Sequence, residues 1–366
     1  MDARIEIRPS MFRQFGTEVA TFCLIVDHVA ADRFVIEPDD FVGKAEVVGV
    51  KPGADLGRLA NELPDDAAIV VAAPGLFVRS TDIAGIGGRR IAILPCGSTP
   101  VEFEHLRYFL DVAARTDPHE QSAFADRFFA GVAASGGVRL VDDLQRTECA
   151  FDPSDDTYEW HQQAGVLGPG EQQIAPSGEL SVLPMEITDF DPARRLALNG
   201  RLTLRGEPIV HAGYDPALAD AQASLYRKLT NLRRHPVVLD VSDGVIVQCQ
   251  AGSSAPEAHQ AAATMTELFR SDPRYRTVWE LGFGINTAMS VVQANCGLNE
   301  VYGATNGVVH LGLGLTPYTT FALTFPSLST TVVSGDKTLL GTSRLVRADQ
   351  PDRRINRTRD ASCGCH

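Results

Sequence analysis

Two stretches of the sequence decide the fold, WELGFGINTAM at 279–289 and NGVVHLGLG at 306–314. Each places one side chain that can ligate a metal, Glu280 or His310, among apolar residues and glycines. A carboxylate buried without a partner is costly, whereas a lone histidine on an apolar strand is more often a core residue held by a backbone carbonyl. The role of His310 therefore depends on what the rest of the chain places beside it.

A third stretch, SGELSVLPMEITDF at 177–190, adds Glu179 and Glu186 in a similar apolar setting. Two carboxylates, Glu179 and Glu280, together with the imidazole of His310 are donor types that bind divalent metals. Sequence spacing alone does not bring them together, so this metal site is a prediction.

In this order, GELSVLPME, ELGFGIN and GATNGVVHLGLG resemble three motifs of the aminopeptidase T-type, leucyl aminopeptidase-like metallopeptidases. The family motifs are Gly-Glu-(Val)-x-x-x-Pro-x-Glu, Glu-Leu-Gly-x-Gly-x-Asn and Gly-Thr-x-His-x-Ala-Leu-Gly. The resemblance covers about residues 178–333, and it implies that Glu179, Glu280 and His310 occupy metal-ligating positions. The scaffold is also similar to that of the 2,5-dihydroxypyridine dioxygenases, which use iron.

The sequence departs from the family pattern after His310. The family takes further ligands from a His-x-Asp pair on a following strand, but the next histidine here is His366. The matching region, TFALTFPSLSTTVVSGDKTLL, offers Asp336 as its carboxylate, and LSTTVV is interpreted as hydroxyls in place of the pair. Two metal ions need more donors than three, so at most one ion, zinc, is expected. Iron for oxygen chemistry is less favoured, because its facial triad has two histidines and one carboxylate.

Two functions follow as hypotheses. The first is a peptide-binding protein that has lost the catalytic metals of a metallopeptidase-like scaffold, with a ribosomal natural-product precursor as an example of its peptide or small peptide-like ligand. The alternative is a single-zinc aminopeptidase or other hydrolase, with Glu186 as general base. His310 stays open between a metal ligand, the remnant of a lost site and a core residue.

The fold class expected is α/β and α+β, in two domains. Apolar runs at 67–74 and 90–97 predict buried strands, and 100–116 and 120–135 predict helices. Asp243-Gly244 predicts a hairpin turn, and a serine-capped helix is expected near 253–272. The domains are predicted as an N-terminal α/β domain at 1–151, a linker at 152–177, an aminopeptidase T-like mixed domain at 178–348 and a flexible polar tail at 349–366.

Bulk properties exclude several classes of partner. The net charge of −13 argues against nucleic acid or an anionic membrane surface, and no apolar run is long enough to cross a bilayer. Seven scattered cysteines and the absence of a secretory pattern predict a cytoplasmic protein. The family resemblance adds a homodimer as an expectation. Cys96 as a nucleophile and a metal on Cys363, Cys365 and His366 are weaker hypotheses.

Overall fold

The computed structural model describes residues 4–16, 19–37, 39–73, 76, 85–94, 103–185, 191, 193–212, 215–289, 307–316, 318–341 and 357–358, with the backbone alone at 104, 105, 216, 357 and 358. Within these residues the chain is a mixed α/β protein, with four sheets and five α-helices. The mixed character predicted from the sequence is confirmed.

The N-terminal half contains a parallel sheet of five described strands: β2 (Val19–Asp27), β4 (Val42–Val50), β5 (Ala68–Ala72), β6 (Arg90–Ile93) and β10 (Gln172–Ile174). Their order is β10–β6–β5–β2–β4. Both predicted strands, β5 and β6, are present. Side chains alternate along β2, so helix α1 (Leu56–Glu62) packs on one face and helix α2 (Phe103–Arg115) on the other. A separate parallel pair joins β1 (Ile5–Ile7) to β3 (Phe34–Ile36).

A first antiparallel sheet has the order β15–β14–β12–β8–β7–β19–β20 in the described part of the chain. Its strands are β7 (Val138–Asp142), β8 (Thr147–Phe151), β12 (Leu198–Leu204), β14 (Val237–Ser242), β15 (Val245–Ala251), β19 (Thr331–Ser334) and β20 (Lys337–Leu340). Asp243 and Gly244 join β14 to β15 with φ values of 48° and 69°, so the predicted hairpin is confirmed.

A second sheet carries all three motif segments. Its described strands run in the order β13–β18–β17–β16–β11–β9–β21. They are β9 (Tyr158–Gln163), β11 (Glu179–Pro184), β13 (Ile209–His211), β16 (Val278–Gly284), β17 (Val309–Leu313), β18 (Ala322–Ser327) and β21 (Arg357–Thr358). All neighbours are antiparallel except β21, which is parallel to β9.

The two faces of this second sheet differ completely. We call one the core face, which carries Trp160, Leu180, Val182, Leu281, Phe283, Val309, Leu311, Leu323 and Phe325. Helix α3 (Pro118–Ser135) packs against it, with the Phe128 ring 5.0 Å from Phe283 and the Phe129 ring 5.4 Å from Trp160. We call the other the site face, which carries Glu159, His161, Glu179, Ser181, Glu280, Gly282, His310, Gly312, Thr324 and Pro326.

The ends of helix α3 follow local sequence signals. Helix α3 begins after Asp117, which accepts hydrogen bonds from the N–H groups of His119 and Glu120, and ends at Gly136 in the left-handed conformation. The remaining helices are α4 (Ala219–Leu229) and α5 (Pro256–Ser271). The serine cap predicted for α5 is wrong, because Ala255 precedes it and Pro256 fixes the first turn. No described helix is long and apolar enough to cross a membrane.

The sheets do not follow the predicted boundary at 151–178. The segment predicted as a linker, 152–177, contains β9 inside the second antiparallel sheet and β10 at the edge of the parallel sheet. Strands β7 and β8, placed by the prediction in the N-terminal domain, pair instead with β19 and β12. Sequence composition misled here because short strands flanked by Asp, Gly and Pro resemble a connection. The division into two domains stays a prediction.

Candidate metal centre

Three of the predicted metal-binding residues meet on the site face. Glu179 begins β11, Glu280 lies on β16 and His310 lies on β17, which are neighbouring strands. The Nε2 atom of His310 is 3.8 Å from Oε1 of Glu179 and 3.8 Å from Oε1 of Glu280. One donor atom from each residue lies within 4.8 Å of the other two. The sequence hypothesis that brought these residues together thus has a geometric basis.

Strand register explains why glycines surround these donors. His310 pairs directly with Gly282, and Glu280 pairs directly with Gly312. Residues directly opposite in an antiparallel pair share a face, so each large donor faces a residue that has no side chain. The glycines in ELGFG and HLGLG therefore leave the space in which the donors lie over the neighbouring strand.

The imidazole of His310 lies directly on Gly282. A Cβ atom at position 282 would be 1.9 Å from Cε1 of His310 and 2.0 Å from its Nε2. At Gly312 a Cβ atom would be 2.7 Å from Oε2 of Glu280. A larger residue at 282 would force the ring or the backbone to shift, so this glycine makes room for the imidazole.

A buried network of amide groups holds the backbone that leads into Glu179. Asn286, the last residue of ELGFGIN, donates to the Ser177 carbonyl at 2.6 Å and to Oγ1 of Thr116 at 3.0 Å. Gln121 donates to the same carbonyl at 2.8 Å. Gly178 has φ +126°, and a Cβ atom there would be 2.6 Å from Cβ of Asn286. The glycine that precedes Glu179 is thus fixed by backbone conformation and by close packing.

The donors are buried, and apolar side chains lie beside them. The side chains of His310, Glu179 and Glu280 are 3%, 6% and 14% exposed. Trp279 packs with Leu183 and Leu315, and its Nε1 donates to the Gly314 carbonyl at 2.8 Å. Electrostatic interactions are stronger in such low-dielectric surroundings than in water, so the two carboxylates would attract a cation here more strongly than at the surface.

The strand after His310 shows what replaces the His-x-Asp pair. On β18 the residues of the site face are Thr324, opposite Gly312, and Pro326, opposite His310. The hydroxyls of LSTTVV were interpreted as replacements for the pair, and this is wrong. The hydroxyl of Thr330 donates to Oγ of Ser327, which in turn donates to a backbone carbonyl of β12 in the first antiparallel sheet. These hydroxyls tie the two sheets together.

The donor set fits one ion. Ligand atoms about 2.0–2.2 Å from a zinc ion lie at most about 4.4 Å apart, so separations of 3.8 Å suit a shared ion. Within the described residues this is the one group of three or more such donors. Two ions about 3.5–4 Å apart need additional ligands.

The structure adds two polar residues that sequence reasoning missed. Glu159 and His161 lie on the site face of β9, with His161 opposite Ser181 and its Nε2 3.6 Å from Oε2 of Glu159. They were overlooked because 152–177 was interpreted as a linker. The alternation in YEWHQQ, with Tyr158 and Trp160 on the core face, was the signal that predicts this strand.

Other sequence candidates lie outside the described residues: Glu186, Cys96, Cys363, Cys365 and His366. The described cysteines are poor nucleophiles. Burial raises the pKa of Cys23, Cys149 and Cys249 to about 12, so their thiols stay protonated near neutral pH.

Comparison with known proteins supports the fold. No protein-family model and no curated protein matches the chain. Among solved structures it is similar to a 2,5-dihydroxypyridine dioxygenase from Pseudomonas putida KT2440, with a TM-score of 0.53 and 16% sequence identity. The match covers 90% of this chain and 94% of that chain, so it includes the N-terminal half as well as the motif segments. At this identity the likeness shows the fold alone.

Proposed function

We propose that this protein binds one zinc ion through Glu179, Glu280 and His310 and hydrolyses a peptide or small peptide-like substrate. One observation carries the proposal: three donors from three adjacent strands lie within 4.8 Å of one another, with Nε2 of His310 3.8 Å from an oxygen of each glutamate, and each donor is opposite a glycine that makes room for it. Burying two carboxylates beside an imidazole is costly unless a cation compensates them.

Each residue of the proposed site would have a distinct role in hydrolysis. Zinc in a catalytic site acts as a Lewis acid and lowers the pKa of a bound water to about 7. Glu179 and Glu280 would compensate its charge, and His310 would supply a nitrogen ligand. Glu186, seven residues after Glu179, is proposed as the general base that accepts the proton of the attacking water.

The donor types favour zinc over other metals. Magnesium and calcium prefer oxygen ligands, whereas His310 supplies nitrogen. Non-haem iron oxygenases use two histidines and one carboxylate, and the set here has one histidine and two carboxylates. The likeness to a dioxygenase therefore supports a shared fold, and an iron-dependent reaction is the weaker proposal.

A second candidate function is peptide binding without a metal, as in the recognition of a ribosomal natural-product precursor. The observation that favours it is on β18, where Thr324 and Pro326 occupy the site face beside Gly312 and His310. A scaffold that has lost part of its metal-ligand set keeps the other side chains and the backbone of its pocket. These groups can recognise a peptide without a metal.

The domain organisation, the oligomeric state and the cellular location of the protein are part of the same proposal. We infer a resemblance to the aminopeptidase T-type metallopeptidases, with the parallel sheet as one domain and the antiparallel sheets as the other. A cytoplasmic homodimer is the assembly proposed. Size-exclusion chromatography with light scattering tests the dimer, since a mass near 79 kDa is about twice the 39.4 kDa chain.

Metal analysis of the purified, untagged full chain separates the two functions. We expect near one zinc per chain in the wild type, and loss of zinc in Glu280→Gln and His310→Ala. Glu159→Gln is a matched control, because Glu159 lies on the same face outside the donor group. Cys363→Ser/Cys365→Ser controls for zinc on the tail. Zinc retained by Glu280→Gln and His310→Ala would refute the site.

Hydrolysis is then measured with a panel of short peptides by release of free amino groups. We expect Glu186→Gln to abolish cleavage and keep zinc, because it removes the base and no ligand. A wild type without zinc that still binds peptides would overturn the hydrolase and establish the second candidate.

A further inference from the structure

The outer edge of β9, on the side away from β11, pairs with the short strand β21. On its inner side β9 pairs with β11 over all six residues. On its outer side Arg357 and Thr358 of β21 pair in parallel with Trp160 and His161. A segment from the C-terminal end of the chain is thus seated as an added strand on the sheet that holds the metal centre.

The register of this pairing places Thr358 in line with His310 across the sheet. Thr358 pairs with His161, His161 with Ser181, Ser181 with Gly282, and Gly282 with His310. This line of paired residues crosses five strands. An extended peptide that adds to β9 in the same register therefore passes at the level of His310.

The charges at this edge are complementary to the sequence around the seated pair. Just before β9 lie the exposed acids Asp155 and Asp156, followed by Glu159 within the strand. The C-terminal sequence RRINRTRD at 353–360 carries four arginines in a chain whose net charge is −13. In a peptide of this sequence added in the same parallel direction, the first arginines would lie toward the end of β9 that these acids precede, which favours its binding and its direction.

We propose that the outer edge of β9 is a strand-addition site for an extended, arginine-rich peptide, and that the chain's own segment through Arg357 and Thr358 occupies it when no such peptide is present. Edge strands offer unpaired N–H and C=O groups that extended peptides bind, while side chains and charges give specificity. This inference rests on the proposed peptide-directed function and deepens it by naming the class of peptide and its mode of binding.

Occupation of the β9 edge by the chain's own segment, which we call self-occupancy, has a measurable consequence. A site that is competent one-tenth of the time shows an apparent affinity about tenfold weaker than its intrinsic one. Releasing the seated segment therefore strengthens peptide binding without a new contact. Proline at 357 and 358 removes the backbone N–H groups of both paired positions and prevents this segment from adding as a strand.

The test measures fluorescence anisotropy of the peptide RRINRTRD, with a fluorophore on its N-terminus and an amidated C-terminus. It compares the full chain, the full chain with Arg357→Pro/Thr358→Pro, and the matched control Ala361→Pro/Ser362→Pro. We expect the first variant to bind about tenfold more tightly than the wild type, and the control to equal the wild type. Equal affinity in all three proteins would overturn self-occupancy.

A further double variant and a charge-reversed peptide test the edge itself. Asp155→Asn/Asp156→Asn should weaken binding and reduce its salt dependence, and the charge-reversed peptide EEINETED should not bind. Equal binding of both peptides, or no binding of RRINRTRD to any protein, would overturn the strand-addition site. Zinc content of the same preparations reports on the proposed function separately, because proline at 357 and 358 leaves Glu179, Glu280 and His310 unchanged.

Discussion

The two faces of the second antiparallel sheet are built from alternate residues of the same strands, yet they do different work. On β16, Phe283 and Leu281 enter the core, whereas Gly282 and Glu280 lie on the site face. The core face resembles the interior of any sheet packed on a helix, while the site face holds donors and glycines in paired positions. The core face therefore sets stability, and the site face is spaced for a ligand. Substitutions on the core face should therefore change stability most, and substitutions in the donor group should change metal binding most.

The largest effect is expected on the core face. Phe283→Ala removes a fully buried ring that packs against Phe128 and Trp160, so we expect a loss of about 3–5 kcal/mol in unfolding free energy. Urea denaturation followed by circular dichroism measures it. Val247→Ala, at a residue 56% exposed, is the control and should stay within about 0.5 kcal/mol. A small effect of Phe283→Ala would remove the distinction between the faces.

The next effect concerns an imidazole at the edge of the site face, away from the donor group. His211 on β13 is opposite Ala322, and burial lowers its pKa to about 4. The unfolded chain binds a proton near pH 6.5 and the folded chain does not, so stability falls as pH drops from about 6.5 to about 4.

The contribution of His211 to this fall is about 3 kcal/mol, from the size of its pKa shift. His211→Gln should flatten the pH dependence of urea unfolding over this window. An unchanged slope in the variant would show that His211 is not kept neutral by burial.

How much of this arrangement the sequence predicts depends on which interactions define it. Apolar runs predicted β5 and β6, and motif resemblance identified Glu179, Glu280 and His310, because these signals are local or follow directly from residue types. The pairing of Gly282 with His310 depends on strand register, which no local pattern shows. Strand β9 was missed although YEWHQQ alternates, because the Asp, Gly and Pro residues that flank it resemble a connection. The hydroxyls after β18 were misjudged because their partners, such as the Thr203 carbonyl, are distant in sequence.

A moderate effect, on metal binding, is expected from Gly282→Ala. The added Cβ atom collides with the His310 ring, so zinc affinity should fall about 10–100-fold, as measured by competition with a chelator dye. Gly137→Ala is the control, since its Cβ atom would be 3.9 Å from the nearest neighbour. The double variant Gly282→Ala/His310→Ala should be more stable than Gly282→Ala, because removing the ring removes the collision. If Gly282→Ala binds zinc normally, the ring does not need this glycine.

The smallest effect lies on the helix that covers the core face. Asp117 caps α3 by accepting hydrogen bonds from His119 and Glu120, and the Glu120 bond is the leading cause that lowers its pKa. Asp117→Ala should therefore cost about 1 kcal/mol of unfolding free energy and leave zinc content unchanged. Asp117→Asn keeps an oxygen acceptor, so it should lose only a part of this, while stability no longer falls as this carboxylate is protonated at acidic pH. Loss of zinc in either variant would mean that the helix acts through the sheet on the donors, and that the two faces are energetically coupled.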